Sequence, residues 1–295
     1  MRVGTLAIIG VGLIGGSFAQ ALKRQEMVDR VIGVGRSEAN MRRALELGVI
    51  DSAEQSVTRA AEMADVILLA VPVMQVATVL SDVARGDHEN LLITDAGSTK
   101  QDFLASARRW LPAKALLRTI PGHPIAGAEL TGVDAASEKL FQGRNVVLTP
   151  MVENDPAAVT RVEKLWTACG ARVSRMTAER HDEIFAAVSH LPHVLAFALV
   201  NAMAQREDAA DTFGFAGAGF RDFTRIAGSS PEMWRDICMA NRDNLVTQID
   251  AFAHELWRLR EGVRLGNAAL VEEAFSKARE ARQSLLPPRR DEGGR

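Results

Sequence analysis

Short apolar runs alternate with segments of helical spacing through the first 176 residues. The runs predict strands at Thr5–Ile9, Arg30–Val34, Val66–Ala70, Leu91–Thr94, Leu116–Ile120, Asn145–Leu148 and Arg172–Ser174. A helix is predicted near Pro156–Cys169, before the last of these strands. Regular alternation of strand and helix is typical of an α/β domain built on a parallel sheet with crossover helices. We therefore assign residues 1–176 to such a domain.

After about Thr177 the pattern becomes helical throughout. His181–Gln205 is apolar on nearly every face, which predicts a helix buried on all sides. Further helices are predicted over Pro231–Leu259 and Asn267–Leu285. A helical domain of this size, residues 177–286, is too small to enclose such a helix alone, so we expect another subunit to help cover it. Residues 287–295 have the composition of a disordered tail.

Composition narrows the choice of partner and compartment. The chain has 295 residues, 47% of them hydrophobic, and a net charge of −2, so it offers no basic surface for nucleic acid. Charges interrupt each apolar run within about 20 residues, so no membrane span is expected. Cys169 and Cys238 are far apart and lack metal-ligand spacing, which favours reduced thiols in a cytoplasmic protein.

A glycine motif follows the first predicted strand. Gly10, Gly12 and Gly15 form GxGxxG between that strand and a helix, where they would allow a tight turn, approach of a pyrophosphate and close helix packing. The free N–H groups at the helix start would bind the phosphates. The predicted cofactor site is completed by Leu13 and Ile14 at the helix start and by Val71 and Pro72 after a later strand. The sequence therefore predicts a dinucleotide site.

The second strand bears on the choice between NAD and NADP. An acid normally ends this strand and holds the ribose 2′-hydroxyl, but here Gly35, Arg36 and Ser37 follow Val34. A guanidinium and a hydroxyl suit a 2′-phosphate better, which favours NADP. The alternative is that Arg36 stacks on the adenine and NAD is still accepted.

The candidate chemistry begins at His123, which stands between Gly122 and Pro124 after an apolar run. A titratable ring at the carboxyl end of a strand lies where open α/β sheets bind their ligands, although a turn histidine that only packs would look the same. Ser98, after another strand, could hydrogen-bond the imidazole and set its tautomer, or it could cap a helix. Capping by Asp95 would leave Ser98 free for the first role.

Two further polar clusters lie in the helical half. His190 and His193 share a helix face, and Pro192 should kink that helix or begin a new one. No third ligand at suitable spacing supports a metal site, so we expect one histidine to contact substrate and the other to make an internal hydrogen bond. Arg225 or Arg221 could clamp a substrate carboxylate, and the alternative is an ordinary surface ion pair.

Together these motifs resemble the prephenate/arogenate dehydrogenase family of tyrosine biosynthesis. The matching segments run in family order from residue 8 to about 236: the glycine motif, Asp95-x-Gly97-Ser98-x-Lys100, Gly122-His123-Pro124-Ile125-Ala126-Gly127-x-Glu129, Ser189-His190-Leu191-Pro192-His193, and Asp222-Phe223-Thr224-Arg225-Ile226 with Trp234. The later motifs are far more specific than the glycine motif.

The resemblance implies a Rossmann-type dinucleotide-binding domain followed by an all-helical dimerisation domain and a homodimer. It implies oxidation of prephenate or arogenate: hydride passes to NAD or NADP, the ring carboxylate leaves as CO₂ and the ring becomes aromatic. In that reaction His123 and Ser98 would be catalytic. The substrate-binding residues would be Arg225, His193, Glu129, Asp222 and Trp234.

Two rivals remain. A β-hydroxyacid dehydrogenase combines the same domain types but depends on a lysine in its long helix, and His181–Gln205 contains none. The second rival is a cofactor-binding sensor that catalyses no reaction. It is disfavoured because His123, Ser98 and Arg225 would then have no common function.

Overall fold

A computed structural model describes residues 2–127 and 132–285 of the chain. Its first half contains a six-stranded parallel sheet in the order β3-β2-β1-β4-β5-β6. The strands are β1 Val3–Ile9, β2 Val28–Val34, β3 Ser52–Glu54, β4 Val66–Leu69, β5 Leu92–Asp95 and β6 Thr119–Ile120. The connecting helices are α1 Leu13–Arg24, α2 Glu38–Glu46, α3 Val57–Met63, α4 Val76–Arg85, α5 Gln101–Trp110 and α6 Ala113–Leu116.

The apolar runs become central strands because both faces of the sheet are covered. Every residue of β4 is buried, and side chains of alternate residues enter separate apolar cores on the two sides of the sheet. Leu68 packs in one core and Leu69 in the other. The carboxyl ends of β1, β4, β5 and β6 therefore meet at one edge, where parallel sheets bind ligands.

A second, three-stranded sheet follows the first. It consists of β7 Gly122–Ile125, β8 Asn145–Leu148 and β9 Arg172–Arg175, with β7 antiparallel to β8 and β9 parallel to it. Helix α7, Pro156–Ala168, lies between β8 and β9 as predicted. Strand β7 was missed, because Gly122 and Pro124 are weak strand formers and pairing with β8 decides its conformation.

The predicted strand Leu116–Ile120 is wrong over most of its length. Leu116 ends the short helix α6, and only Thr119 and Ile120 pair with β5. Pro112 at the N-cap favours a helical start for this segment. The short strand β3 was also missed, since its three residues are too few to show a period.

The remainder of the described chain is helical. It contains α8 Ala178–Phe185, a π-helical turn Ala186–His190, α9 Leu191–Ala204, α10 Ala209–Gly214, α11 Ala218–Thr224, α12 Pro231–Ala240, α13 Arg242–Arg264 and α14 Ala268–Leu285. As predicted, Pro192 stands in the first turn of a new helix, α9. The single helix predicted over Pro231–Leu259 is instead broken at Asn241, whose side chain is buried.

The chain divides into two compact units, the first ending at Asn244 and the second beginning at Leu245. In the second unit, α14 packs on the end of α13, and a Cβ at Gly262 would lie 2.8 Å from a methyl carbon of Leu270. Glycine therefore permits the close approach of these two helices.

One expectation for the apolar helical stretch is wrong: the chain does contain an apolar run of membrane-spanning length. No charged residue lies between Glu183 and Arg206, and the helical stretch Ala178–Ala204 is long and apolar enough to cross a membrane by length and composition, with a mean hydropathy of 1.6 over an 18-residue window. Within one chain Ala196 is the only buried residue of α9, so burial of this helix on all sides depends on the expected second subunit and stays a prediction. A helix in a protein core or subunit interface passes the same test, and His181, Asp182 and His190 are buried along this stretch.

Candidate active site

The glycine turn after β1 has the shape that a pyrophosphate requires. Gly10 has φ +99°, and a Cβ there would lie 2.3 Å from the carbonyl oxygen of Ala70. A Cβ at Gly15 would lie 2.4 Å from the Gly10 oxygen, whereas one at Gly12 would meet nothing within 4 Å. No side chain caps α1, so the N–H groups of its first turn, which includes Leu13 and Ile14, face open space.

A cavity of about 1000 Å³ opens beside this turn. Its lining includes Gly10, Val34, Gly35, Arg36, Glu38, Arg42, Glu54, Val71, Pro72 and Gln75. The open glycine, the uncapped helix and the cavity together fit a dinucleotide. The sequence predicted Arg36, Val71 and Pro72 in this place but missed Arg42, which comes from the second turn of α2.

Ser37 has a structural task at the same position. Its hydroxyl oxygen caps α2 by accepting a hydrogen bond of 3.2 Å from the Asn40 N–H. The hydroxyl proton is still available to a ligand. The β2–α2 turn thus presents Arg36, the Ser37 hydroxyl and Arg42 together.

His123 is the second residue of β7 and lies just beyond the end of β6, half-buried. Its Nδ1 atom is 2.8 Å from Nε2 of His181. The ring of Phe185 packs against it, with centroids 4.8 Å apart. Burial, followed by the positive fields of His181 and Lys100, holds the pKa of His123 well below its usual value, so the ring is neutral at pH 7.

A buried ion pair fixes the backbone next to His123. Lys100 Nζ donates to Oδ2 of Asp95 at 2.5 Å and to the Gly122 carbonyl oxygen at 2.7 Å. Asp95 Oδ1 accepts from the Gly122 N–H at 2.9 Å, and both ionic side chains are inaccessible to solvent. The N–H and the carbonyl group of Gly122 are both hydrogen-bonded to this ion pair. The backbone that leads into His123 is therefore fixed.

The capping predicted for the loop after β5 is wrong. Asp95 is committed to Lys100, Gly122 and the Gly97 N–H, and the first N–H groups of α5 go instead to Asp182, 82 residues away. Ser98 is half-buried and makes no hydrogen bond within the part of the chain that the structure describes. The hydrogen bond to His123 expected from Ser98 comes from His181.

His190 makes an internal hydrogen bond. Its Nδ1 atom lies 3.2 Å from Asn241 Nδ2, which also donates to the Asp182 carbonyl oxygen. The break between α12 and α13 therefore places an amide against this ring. Burial lowers the pKa of His190 to about 4, so it is neutral at pH 7.

His193 and Trp234 form a stacked pair. Their ring centroids are 3.5 Å apart with an interplanar angle of 19°. Trp234 is buried with Ile237 against Val73, in the turn that follows Pro72, so α12 docks beside the cofactor cavity. Burial lowers the pKa of His193, and the nearby positive charge of Arg225 lowers it further.

The Arg/Asp segment is less enclosed. Arg225 and Asp222 are exposed, and Nε of Arg221 donates to the Ala216 carbonyl oxygen at 3.1 Å. The positive charge of Arg225 contributes to the lowered pKa of His193, so Arg225 lies near this ring. Glu129 lies outside the described residues.

Sequence reasoning missed His181, Asp182, Lys100 and Asn241 as parts of this cluster. A histidine followed by a carboxylate in the first turns of a helix was the available signal for the first two. It is weak, because the partner of His181 lies 58 residues away. Among residues 2–127 and 132–285, no group of three or more histidine, cysteine or acidic side chains could hold a metal ion.

Comparison with known proteins connects these features. Residues 18–175 match the family model for the prephenate dehydrogenase nucleotide-binding domain, and residues 177–277 match that for its dimerization domain. The chain is 37% identical to the prephenate dehydrogenase of Bacillus subtilis, with 98% of this chain and 77% of that protein aligned.

Two further proteins are similar over nearly their whole lengths. The chain is 34% identical to the cyclohexadienyl dehydrogenase of Zymomonas mobilis, over 95% of each protein. A crystal structure of prephenate dehydrogenase from Aquifex aeolicus, in complex with hydroxyphenyl propionate and NAD+, superposes with a TM-score of 0.90 at 32% identity. The alignment covers 97% of this chain and 99% of that one.

Proposed function

Because the chain belongs to the prephenate dehydrogenase family of NAD(P)-dependent oxidoreductases, we propose that it oxidises and decarboxylates prephenate, arogenate or both, with Nε2 of His123 accepting the ring-hydroxyl proton. The observation that carries this proposal is a neutral, half-buried imidazole at the sheet edge where the cofactor cavity opens. The bound nicotinamide supplies the hydride acceptor. The protein residues bind the substrate, orient it and handle the proton.

The role of His123 in the reaction would be to accept the proton of the substrate hydroxyl. As the carbon bearing the hydroxyl loses hydride, the O–H bond becomes strongly acidic, and a neutral imidazole within hydrogen-bond reach takes its proton. Loss of the ring carboxylate as CO₂ leaves an aromatic phenolate, which takes the same proton back. Ser98, half-buried in the loop after β5, would donate to or accept from the same oxygen.

The substrate carboxylates need positive partners. Arg225 would bind one of these carboxylates through a charge-assisted hydrogen bond. It lies near His193, because its positive charge lowers the pKa of that ring. His193, held in place by its stacking on Trp234, would contact the side-chain end of the substrate. Trp234 would form the wall between substrate and cofactor turn, with Asp222 and Glu129 orienting the arginine.

For the cofactor we propose a preference for NADP. Arg36 and Arg42 line the cavity at the end of β2, where an NAD enzyme would carry an acid. Two guanidinium groups and the Ser37 hydroxyl would bind a 2′-phosphate. Gly10, Gly12, Leu13, Ile14 and Gly15 would hold the pyrophosphate, with Val71 and Pro72 alongside the nicotinamide half.

For the assembly we propose a cytoplasmic homodimer formed by the helical domain, residues 177–286, with the nucleotide-binding domain spanning residues 1–176. The half-exposed apolar surface of α9 and the dimerization-domain model over 177–277 support it. The two free cysteines agree with a reducing compartment.

Steady-state kinetics test the proposed function. The purified protein should form NADPH or NADH with prephenate, with arogenate or with both, and His123→Asn should lower kcat by roughly 10²- to 10⁴-fold while the KM for cofactor stays the same. A His88→Asn variant, which changes a histidine bonded to the Ala64 carbonyl oxygen, is the control and should keep its kcat. No turnover with either substrate would contradict the proposal.

A further inference from the structure

Three side chains stand in a line behind the proposed base. Nδ1 of His123 is 2.8 Å from Nε2 of His181, and Nδ1 of His181 is 2.8 Å from Oδ1 of Asp182. His181 and Asp182 are inaccessible to solvent, with side chains 0% and 1% exposed. Within the described residues no hydrogen bond engages Nε2 of His123. The line therefore ends at a nitrogen that is left to contact a bound molecule.

The direction of each hydrogen bond follows from Asp182. Its carboxylate accepts 2.9 Å hydrogen bonds from the N–H groups of Lys100 and Gln101. Burial disfavours the charge, but the hydrogen bonds from His181 and these backbone groups outweigh it and lower the pKa of Asp182. Asp182 is thus an ionised group that only accepts, and His181 must donate to it from Nδ1.

The tautomer of His181 then determines that of His123. Burial lowers the pKa of His181, so its ring is neutral and carries one proton, on Nδ1. Its Nε2 atom is therefore a lone-pair acceptor. The 2.8 Å contact is a hydrogen bond only if His123 donates from Nδ1, which leaves the lone pair of His123 on Nε2.

The reversed arrangement is strongly disfavoured. With the proton of His123 on Nε2, two lone pairs would face each other across 2.8 Å. With the proton of His181 on Nε2, a bare nitrogen would face the Asp182 carboxylate. Because a buried polar group without its hydrogen bond is unfavourable, the wrong tautomer is a minor species.

We propose that His181 and Asp182 are positioning residues that hold His123 in the tautomer whose Nε2 atom can accept the substrate proton. The inference rests on the proposed function only in naming what Nε2 accepts. During the reaction one O–H bond of the substrate breaks and one N–H bond forms at Nε2. The same proton returns to the phenolate oxygen, so the buried line needs no exit to solvent.

His181 and Asp182 also stabilise the protonated form of His123. When Nε2 takes the proton, the imidazolium donates from Nδ1 to His181, whose other nitrogen contacts the ionised Asp182. The ionised Asp182 carboxylate thus stabilises the positive charge of His123 through the polarised ring of His181, which lies between them. Phe185 packs against both rings, at 4.8 Å from His123 and 4.4 Å from His181, and keeps them from rotating.

The first test measures the tautomer and needs no substrate. In ¹⁵N-histidine-labelled enzyme, two-bond ¹H–¹⁵N spectra should show His123 with a protonated Nδ1 and a bare Nε2, the signal being assigned by its loss in His123→Asn. In His181→Phe, which keeps a ring but no acceptor, the proton of His123 should move wholly or partly to Nε2. His181→Gln retains an acceptor oxygen and should keep it on Nδ1.

The second test measures turnover of the same variants. His181→Phe should lower kcat by roughly 10- to 100-fold with the KM for cofactor unchanged, as is typical when the partner of a functional histidine is lost. His181→Gln should recover part of that loss. Phe185→Leu, the packing control, should keep the wild-type tautomer whatever its kcat.

The outcomes separate the two proposals. A wild-type spectrum with the proton of His123 on Nε2 would overturn the positioning role, as would a His181→Phe variant with unchanged tautomer or unchanged kcat. The expected tautomers in a protein that turns over neither prephenate nor arogenate would contradict the proposed function alone. The wild-type spectrum decides even if His181→Phe does not fold.

Discussion

At the scale of single residues, the site combines neutral rings with buried charge. Burial lowers the pKa of His123, His181 and His190, while Lys100 and Asp95 form a hydrogen-bonded ion pair in the interior. Neutral imidazoles can accept protons, and the ion pair holds the backbone at Gly122 through hydrogen bonds. Burial thus decides the charge of the rings, even for His181, which contacts the ionised Asp182.

The pH dependence of turnover should reflect the lowered pKa of His123. The ring must be neutral to act as a base, and burial keeps it neutral below the usual histidine value of about 6.5. We expect kcat/KM for substrate to stay level as pH falls from 7.5 to 6.5 and to drop only at lower pH, where Nε2 becomes protonated. A pH–rate profile whose acid limb begins above pH 7 would contradict this.

Arg225 should act mainly on substrate binding. Arg225→Ala removes a charge-assisted contact to a carboxylate, so the KM for substrate should rise roughly 10- to 100-fold, with the KM for cofactor unchanged. Arg221→Ala is the matched control, because Arg221 already donates to the Ala216 carbonyl oxygen. Equal effects of the two variants on substrate KM, or a loss of stability alone, would remove Arg225 from the site.

At the scale of elements, breaks in helices place the polar groups. The π-helical turn Ala186–His190 precedes α9 and carries His190, and the break between α12 and α13 carries the Asn241 that bonds it. A π turn changes the face on which the following residues lie, and such turns recur at functional sites. His193, in the first turn of α9, thereby reaches Trp234 on α12.

The β2–α2 turn should decide the choice of cofactor. Arg36→Ala removes one of the two guanidinium groups at the end of β2, so we expect the kcat/KM ratio of NADP to NAD to fall roughly 10- to 100-fold. Arg59→Ala, which changes an exposed arginine paired with Glu54, should leave the ratio unchanged. A wild-type enzyme that strongly prefers NAD would contradict the proposed preference for NADP.

Local elements were predictable from the sequence and long-range ones were not. The glycine turn, β1, β2, β4 and α7 depend on neighbours in sequence, and each was predicted close to its observed bounds. Strand β7 exists because it pairs with β8, and Asp182 caps α5 from 82 residues away. The contact between His123 and His181 is also long-range, so sequence spacing could not identify His181 as the partner of His123.

At the scale of the whole molecule, the exposed apolar side chains of the helical half indicate an interface with another subunit. Val188 is 66% exposed in the first unit, and Trp257 and Phe275 are 59% and 61% exposed in the second. Large apolar side chains left open in one chain are typical of an interface. The membrane-like composition of Ala178–Ala204 has the same explanation in a homodimer.

The dimer should depend on these side chains. Trp257→Glu introduces a charge into the apolar surface of α13, and we expect it to shift the protein from dimer toward monomer in analytical ultracentrifugation at micromolar concentration. Val152→Glu, which changes an even more exposed apolar residue in the nucleotide-binding half, should leave the dimer intact. A wild-type protein that sediments as a monomer would contradict the proposed homodimer.

In the proposed mechanism one hydride and one carboxylate leave the substrate ring while His123 holds the hydroxyl proton. The most direct measurement uses prephenate carrying deuterium on the hydroxyl-bearing ring carbon and ¹³C in the ring carboxylate. This mechanism predicts one deuteride in the reduced nicotinamide for each ¹³CO₂ released, at a rate that His123→Asn lowers at least about 100-fold. Reduced nicotinamide without ¹³CO₂, or an unchanged rate in the variant, would contradict it.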